Sequence, residues 1–138
     1  MEPYPKAYLY RRVVQAKLFI DAHFAEPIDV DAIAGEASFS KFHFIRLFKQ
    51  AYGLAPHAYL TRVRLDHARA MLDRGAAVND ACLSVGFSSA ATFTRLFKKH
   101  TGQAPSVYRA ERLQRARSIA ERPLAFVPGC FASANGWT

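Results

Sequence analysis

Apolar residues recur along this chain at helical spacing and almost nowhere at the alternating spacing of a strand. Over residues 9–24, Val13, Val14, Ala16, Leu18, Phe19, Ile20 and Phe24 outline a first helix. Pro27 closes that stretch. Asp29 is placed to cap a short second helix carrying Val30, Ile33, Ala34 and Ala37 on one face. Ser40 then caps a third helix running to about Tyr52, with Phe44, Leu47 and Phe48 as its apolar stripe. Gly53 suits the left-handed residue that ends a helix, and Pro56 suits the first position of the next. A long helix over about residues 57–74 presents Leu60, Val63, Leu65, Ala68, Met71 and Leu72. These do not share one narrow stripe, so contact with neighbours on two sides is expected. Gly75 stops it.

The pattern then restarts. Val78, Ala81, Cys82 and Val85 repeat the face of Val30, Ile33, Ala34 and Ala37. Gly86-Phe87-Ser88 predicts a tight turn, and a helix over about residues 89–100 follows, with Phe93, Leu96 and Phe97 inward and Gly102 at its end. A last helix starts at Pro105 and can extend to Arg122 before Pro123. The restart is detailed. Arg-Leu-Phe-Lys stands at residues 46–49 and again at 95–98. Both copies are followed at the same offsets by glycine (Gly53, Gly102), Ala-Pro (Ala55-Pro56, Ala104-Pro105) and tyrosine (Tyr59, Tyr108). One small unit is used twice. The expected fold is all-α: one domain over residues 1–122, with lobes at about 10–56 and 75–122 joined by the linking helix. Residues 123–138 form an apolar, turn-rich tail, in which Phe126, Val127, Phe131 and Trp137 are expected to pack on the second lobe, the alternative being an exposed segment that recruits a partner.

Charge narrows the partner. Nineteen Lys+Arg against eleven Asp+Glu give +8 over 138 residues. Such a balance favours a polyanion, either nucleic acid or an anionic membrane surface. The excess is local: residues 85–122 hold eight basic and two acidic side chains, whereas residues 28–56 hold three of each. No apolar run approaches the ~20 residues of a membrane span, and the N-terminus lacks a signal peptide's apolar stretch. A soluble, cytoplasmic protein is expected, with no membrane partner. Two cysteines make no disulfide framework, and no Cys/His spacing fits zinc. His43 and His100 lack companion ligands at metal spacing. No metal or other cofactor is expected, and no enzymatic activity. Cys82 lies on the predicted core face, and Cys130 has no base in its local sequence.

Short helix, tight turn, basic helix is the order of a helix-turn-helix, whose second helix enters the major groove. Opposite its core stripe the first basic helix offers Phe42, Ile45, Arg46 and Lys49; the second offers Ala91, Thr92, Thr94, Arg95 and Lys98. The arginine fork matches the O6 and N7 acceptors of guanine. Lysines and capping serines suit phosphates, which position a protein without being read. Arg109, Arg112, Arg115, Arg117 and Arg122 fit either a phosphate-binding face or a solvated one. At 1.5 Å per residue the linking helix spans ~25 Å. That length can hold the basic helices near the ~34 Å that separates successive major-groove faces.

These residues resemble the DNA-binding domain of AraC/XylS-type bacterial transcription regulators over about residues 10–112. The resemblance is carried by Ser40-x-Phe42-His43-Phe44-x-Arg46-x-Phe48-Lys49 and Arg64-Leu65-x-x-Ala68-x-x-x-Leu72. Gly86-Phe87-x-Ser89-x-x-x-Phe93-x-Arg95-x-Phe97-Lys98 and Gly102-x-x-Pro105-x-x-Tyr108-Arg109 complete it. It implies seven helices in two lobes, double-stranded DNA as partner, and action as activator or repressor at the nucleoid, with RNA polymerase as an open second partner. It implies base reading by Phe42, Ile45 and Arg46, then by Ala90, Ala91, Thr92, Thr94 and Arg95. Ser40, Lys41, Lys49, Ser89, Lys98 and Lys99 are the expected phosphate contacts. Many relatives are polar where Ile45, Ala90 and Ala91 stand, so modest specificity is expected. About nine residues precede the first helix, so a built-in small-molecule sensor is not expected, and two reading helices in one chain favour a monomer on DNA. The alternative from another class is a basic helical adaptor acting through protein contacts.

Overall fold

The computed structural model describes residues 3–35 and 41–122. The expectations for Ala37, Ser40, Cys130 and the tail at 123–138 lie outside the described residues, as does the side chain of Ala34. Seven helices are described: α1 (Pro3–His23), α2 (Val30–Gly35), α3 (Lys41–Tyr52), α4 (Pro56–Asp73), α5 (Val78–Ser84), α6 (Ala90–Thr101) and α7 (Pro105–Glu121). No strand occurs among the described residues.

Local chemistry sets several of these ends. Asp29 Oδ1 accepts from the Ala32 backbone N–H at 3.0 Å, and Ser89 Oγ from that of Thr92 at 3.2 Å. Pro56 and Pro105 open α4 and α7, where a missing N–H costs nothing. The start of α1 differs from expectation, at Pro3 rather than near Leu9. Pro3 and Pro5 fall in its first turn, where proline is tolerated, so the helix extends past its apolar stretch. Of the apolar positions there, only Val13, Ala16 and Ile20 are buried; Val14, Leu18 and Phe19 are exposed.

Two cores form, and α4 belongs to both. Its N-terminal half places Tyr59 and Leu60 with Val13, Ile20, Val30, Phe44 and Phe48. Its C-terminal half places Leu65, Ala68 and Leu72 with Cys82, Val85, Phe93, Phe97 and Tyr108. This explains why the apolar residues of the linking helix do not share one stripe. The repeat persists in ring geometry: Phe48 meets Tyr59 edge-on at 5.6 Å, and Phe97 meets Tyr108 edge-on at 5.5 Å.

The lobes also touch directly. Arg64 of α4 donates from Nε to the Phe24 carbonyl at 2.6 Å and from a terminal nitrogen to the Glu26 carbonyl at 2.9 Å. Its guanidinium stands 5.8 Å from the centre of the Phe87 ring. Gly86 completes the junction. At φ +101° it occupies a conformation side chains rarely adopt, and a Cβ there would lie 3.0 Å from the Ala25 carbonyl and 3.1 Å from Arg64. The turn of the second lobe is thereby pressed against the end of α1. Phe24 packs against both cores and stacks on His67 of α4 at 4.0 Å.

Candidate nucleic-acid interface

The basic helices α3 and α6 are each anchored by one apolar stripe and present the rest outward. Phe44, Leu47 and Phe48 are buried on α3; Phe93 and Phe97 are buried on α6, with Leu96 half-buried beside them. That phase turns Arg46 and Lys49 outward on α3, and Ala90, Ala91, Thr94, Arg95, Lys98 and Lys99 on α6. Phe42, in the first turn of α3, is 76% exposed, the most exposed large apolar side chain among the described residues. Thr92 is half-buried, and Ser89 is exposed while its oxygen caps α6. Ser40 lies outside the described residues.

Ile45 stands apart from its neighbours. It is half-buried, packed against the first core, and lines a small cavity of about 50 Å³ with Val30, Pro56 and His57. The α2 and α4 backbones close on that flank of α3, leaving only part of the side chain to offer a base. Its counterpart Thr94 is exposed.

The basic side chains divide into two sets. Arg46, Lys49, Arg95, Lys98 and Lys99 have no hydrogen bond or ion pair among the described residues. Others are committed to the fold. Lys41 lies 3.2 Å from Asp31, and this ammonium holds the Asp31 carboxyl below the usual carboxylate range. Arg109 donates to the carbonyls of Ala76 at 2.8 Å and Gly75 at 3.1 Å, binding α7 to the turn after α4. Arg112 reaches Asp73 at 3.3 Å and stands 5.0 Å from the Tyr108 ring centre. The arginines of α7 are thus not one uniform basic face. The roles of Arg64 and Arg109 were not legible locally, because their partner carbonyls lie 40 and 33 residues away for the closest bond of each.

Cys82 is buried, its Sγ 3.8 Å from the Phe87 carbonyl, and burial pushes the thiol pKa up, away from the nucleophilic thiolate. Among the described residues no group of three or more His, Cys, Asp or Glu is placed to hold a metal ion. No described helix is long and apolar enough to cross a membrane.

Two equivalent basic helices, each braced by a shorter one and outward-facing with unpaired arginine and lysine, define a DNA-binding protein of the dual helix-turn-helix class. Residues 33–111 match the helix-turn-helix domain family. The chain is 39% identical over 85 residues to the probable transcription factor PqrA of Proteus vulgaris, covering 61% of this chain and 70% of that one. It is 37% identical over 93 residues to the right origin-binding protein of Escherichia coli K12, covering 67% of this chain and 32% of that protein. The DNA-binding domain of the global transcriptional factor AdpA, solved with a target DNA, superposes with a TM-score of 0.66 at 27% identity, over 80% of this chain and 96% of that one. A probable AraC family regulator from Rhodopseudomonas palustris does so with a TM-score of 0.62 at 34% identity, over 77% and 97%. The chain belongs to the AraC/XylS-type family of transcriptional regulators and is a sequence-specific DNA-binding regulator. It spans about a third of the length of the right origin-binding protein.

Proposed function

We propose that α3 and α6 read two successive major-groove faces on one side of a duplex. Arg46 and Arg95, equivalent in the repeat, are the principal base readers, each through the guanine O6/N7 edge. Phe42, Ile45, Ala90, Ala91, Thr92 and Thr94 supply shape and thymine-methyl contacts. Ser40, Lys41, Lys49, Ser89, Lys98 and Lys99 hold phosphates, with Lys41 weakened for that task by Asp31. The carrying observation is that both arginines are exposed and unpaired at matching positions of two helices fastened to one linking helix. At 18 residues that helix is about 27 Å long.

Binding is by a monomer, since one chain supplies both reading helices. It acts without catalysis, in the cytoplasm at the nucleoid, with RNA polymerase as the second partner in activation. Selection from random duplex DNA tests the reading. The expected product is a motif of two half-sites about one helical turn apart, bound 1:1 in sedimentation. Recovery of no enriched sequence would favour the adaptor role, and a 2:1 complex as the minimal unit would overturn the monomer.

A further inference from the structure

The linking helix carries surface that the reading above does not use. An open groove of about 330 Å³ lies between α4 and α6, lined by His57, Thr61, Arg62 and Leu65 on one side and Leu96 and Lys99 on the other. Leu65 is buried and Leu96 half-buried, so the groove has an apolar base. Arg62 and Lys99 are exposed and have no hydrogen bond or ion pair among the described residues. No Asp or Glu lines the groove, and the neighbouring acids are held by other side chains. Asp66 meets His100 at 2.9 Å, and Asp31 lies between Lys41 at 3.2 Å and His57 at 3.4 Å. The Arg and Lys side chains lining the groove are Arg62 and Lys99, with His57 and His100 beside them.

The groove is continuous with both reading helices. Lys99 follows Arg95 by four residues and shares its helical face. His57 lines this groove and also the small cavity bordered by Ile45 of α3. The surface thus runs from α3 across α4 to α6. With α3 and α6 in successive major grooves, the protein between them crosses what lies between them on the duplex, a minor groove walled by two phosphate backbones.

We propose that this groove is a phosphate seat in which Arg62 and Lys99, with the Thr61 hydroxyl, hold the duplex backbone between the two half-sites. This assignment rests on the reading of α3 and α6 as the base-reading helices. It makes the linking helix a DNA-contacting element as well as a spacer. The contact is sequence-independent, because phosphates carry no base information.

The test uses the full chain and two duplexes, the site selected by the wild type and a scrambled version. Affinities of Arg62→Ala, Lys99→Ala and the double variant are measured across a salt series, with phosphate-ethylation interference on the selected site. Each lost contact should flatten the slope of log K against log salt by ~0.9. The loss should be equal on both duplexes, and interference should vanish at phosphates between the half-sites. Both side chains are exposed, so thermal melts should match the wild type. Arg62→Lys should retain most of the slope. A double variant with wild-type slope and interference overturns the seat; if Arg46→Ala still loses its base preference, the reading itself survives. If Arg46→Ala and Arg95→Ala both keep the wild-type motif, the reading fails and the seat fails with it.

Discussion

The Tyr108 hydroxyl donates to Asp73 Oδ1 at 2.7 Å, and Tyr59 donates to Asp21 Oδ1 at 2.6 Å. Each bond ties the helix after a basic helix back to a long helix packed in the same core, α7 to α4 and α4 to α1. The sequence repeat therefore extends to a tertiary contact made by acids that are not at matching offsets: Tyr59 and Asp21 are 38 residues apart, Tyr108 and Asp73 are 35. Hydrogen bonds to charged groups contribute about 1.5–3 kcal/mol, less where solvent competes. Tyr59→Phe and Tyr108→Phe should each lower stability by about 1–2 kcal/mol in denaturant unfolding. Wild-type midpoints in both would show that water replaces the bonds without loss.

The first of these pairs should give a pH signature. Burial pulls the Asp21 carboxyl upward, but hydrogen bonds from Lys17 and Tyr59 outweigh it and leave the pKa below its ordinary value. A carboxylate lowered on folding contributes stability above its unfolded pKa of ~3.9, and that contribution is lost as pH falls through the folded value. The gap in melting temperature between wild type and Asp21→Asn should be widest near neutral pH and close in acid. A gap that stays constant into acid would remove the carboxylate from the account.

Gly86→Ala should destabilise by about 1–3 kcal/mol, because it adds backbone strain and a Cβ against the Ala25 carbonyl. Arg64→Ala removes the tether between the lobes. It should weaken binding to a two-half-site duplex more than to either half-site alone, while each half-site keeps its preferred bases. Equal loss on all three duplexes would mean that Arg64 does not hold the lobes in register.

Arg46→Ala and Arg95→Ala should each lose on the order of 1–3 kcal/mol of discrimination at one base pair, the two positions lying about one helical turn apart. Lys98→Ala should instead weaken all sequences alike. Repeating the random-duplex selection with each variant checks this; an unchanged motif in both arginine variants would end the base-reading assignment.

Phe48 and Phe97 are fully buried at the centres of the two cores. Truncation of either to alanine should cost about 3–5 kcal/mol. Calorimetric melts should show a large drop for both variants, and a melt close to wild type for either would contradict the phase of its helix.

Much of this fold is readable along the chain because its determinants act within one or two turns. Ser89 caps its own helix, and the apolar triplet at 93, 96 and 97 can face a core only with Arg95 and Lys98 turned outward. The split of α4 between two cores was readable too, since a helix with a broad apolar surface must bury it on more than one side. Duplication made both patterns visible twice. Side chains whose environment comes from distant segments were not readable. Ile45 looks outward on its own helix, yet α2 and α4 close over it. Arg64 and Arg109 look like any surface arginine until the turns carrying their acceptor carbonyls are brought to them. The sequence by itself determined the order of the helices and, for α3 and α6, which face is apolar, because capping and periodicity are local; it missed the start of α1 and which of its apolar residues are buried. Only the tertiary structure decided which cations are spent on the fold and which remain unpaired for DNA. A guanidinium takes whichever acceptor lies within about 3 Å, and chain folding alone brings that acceptor into reach.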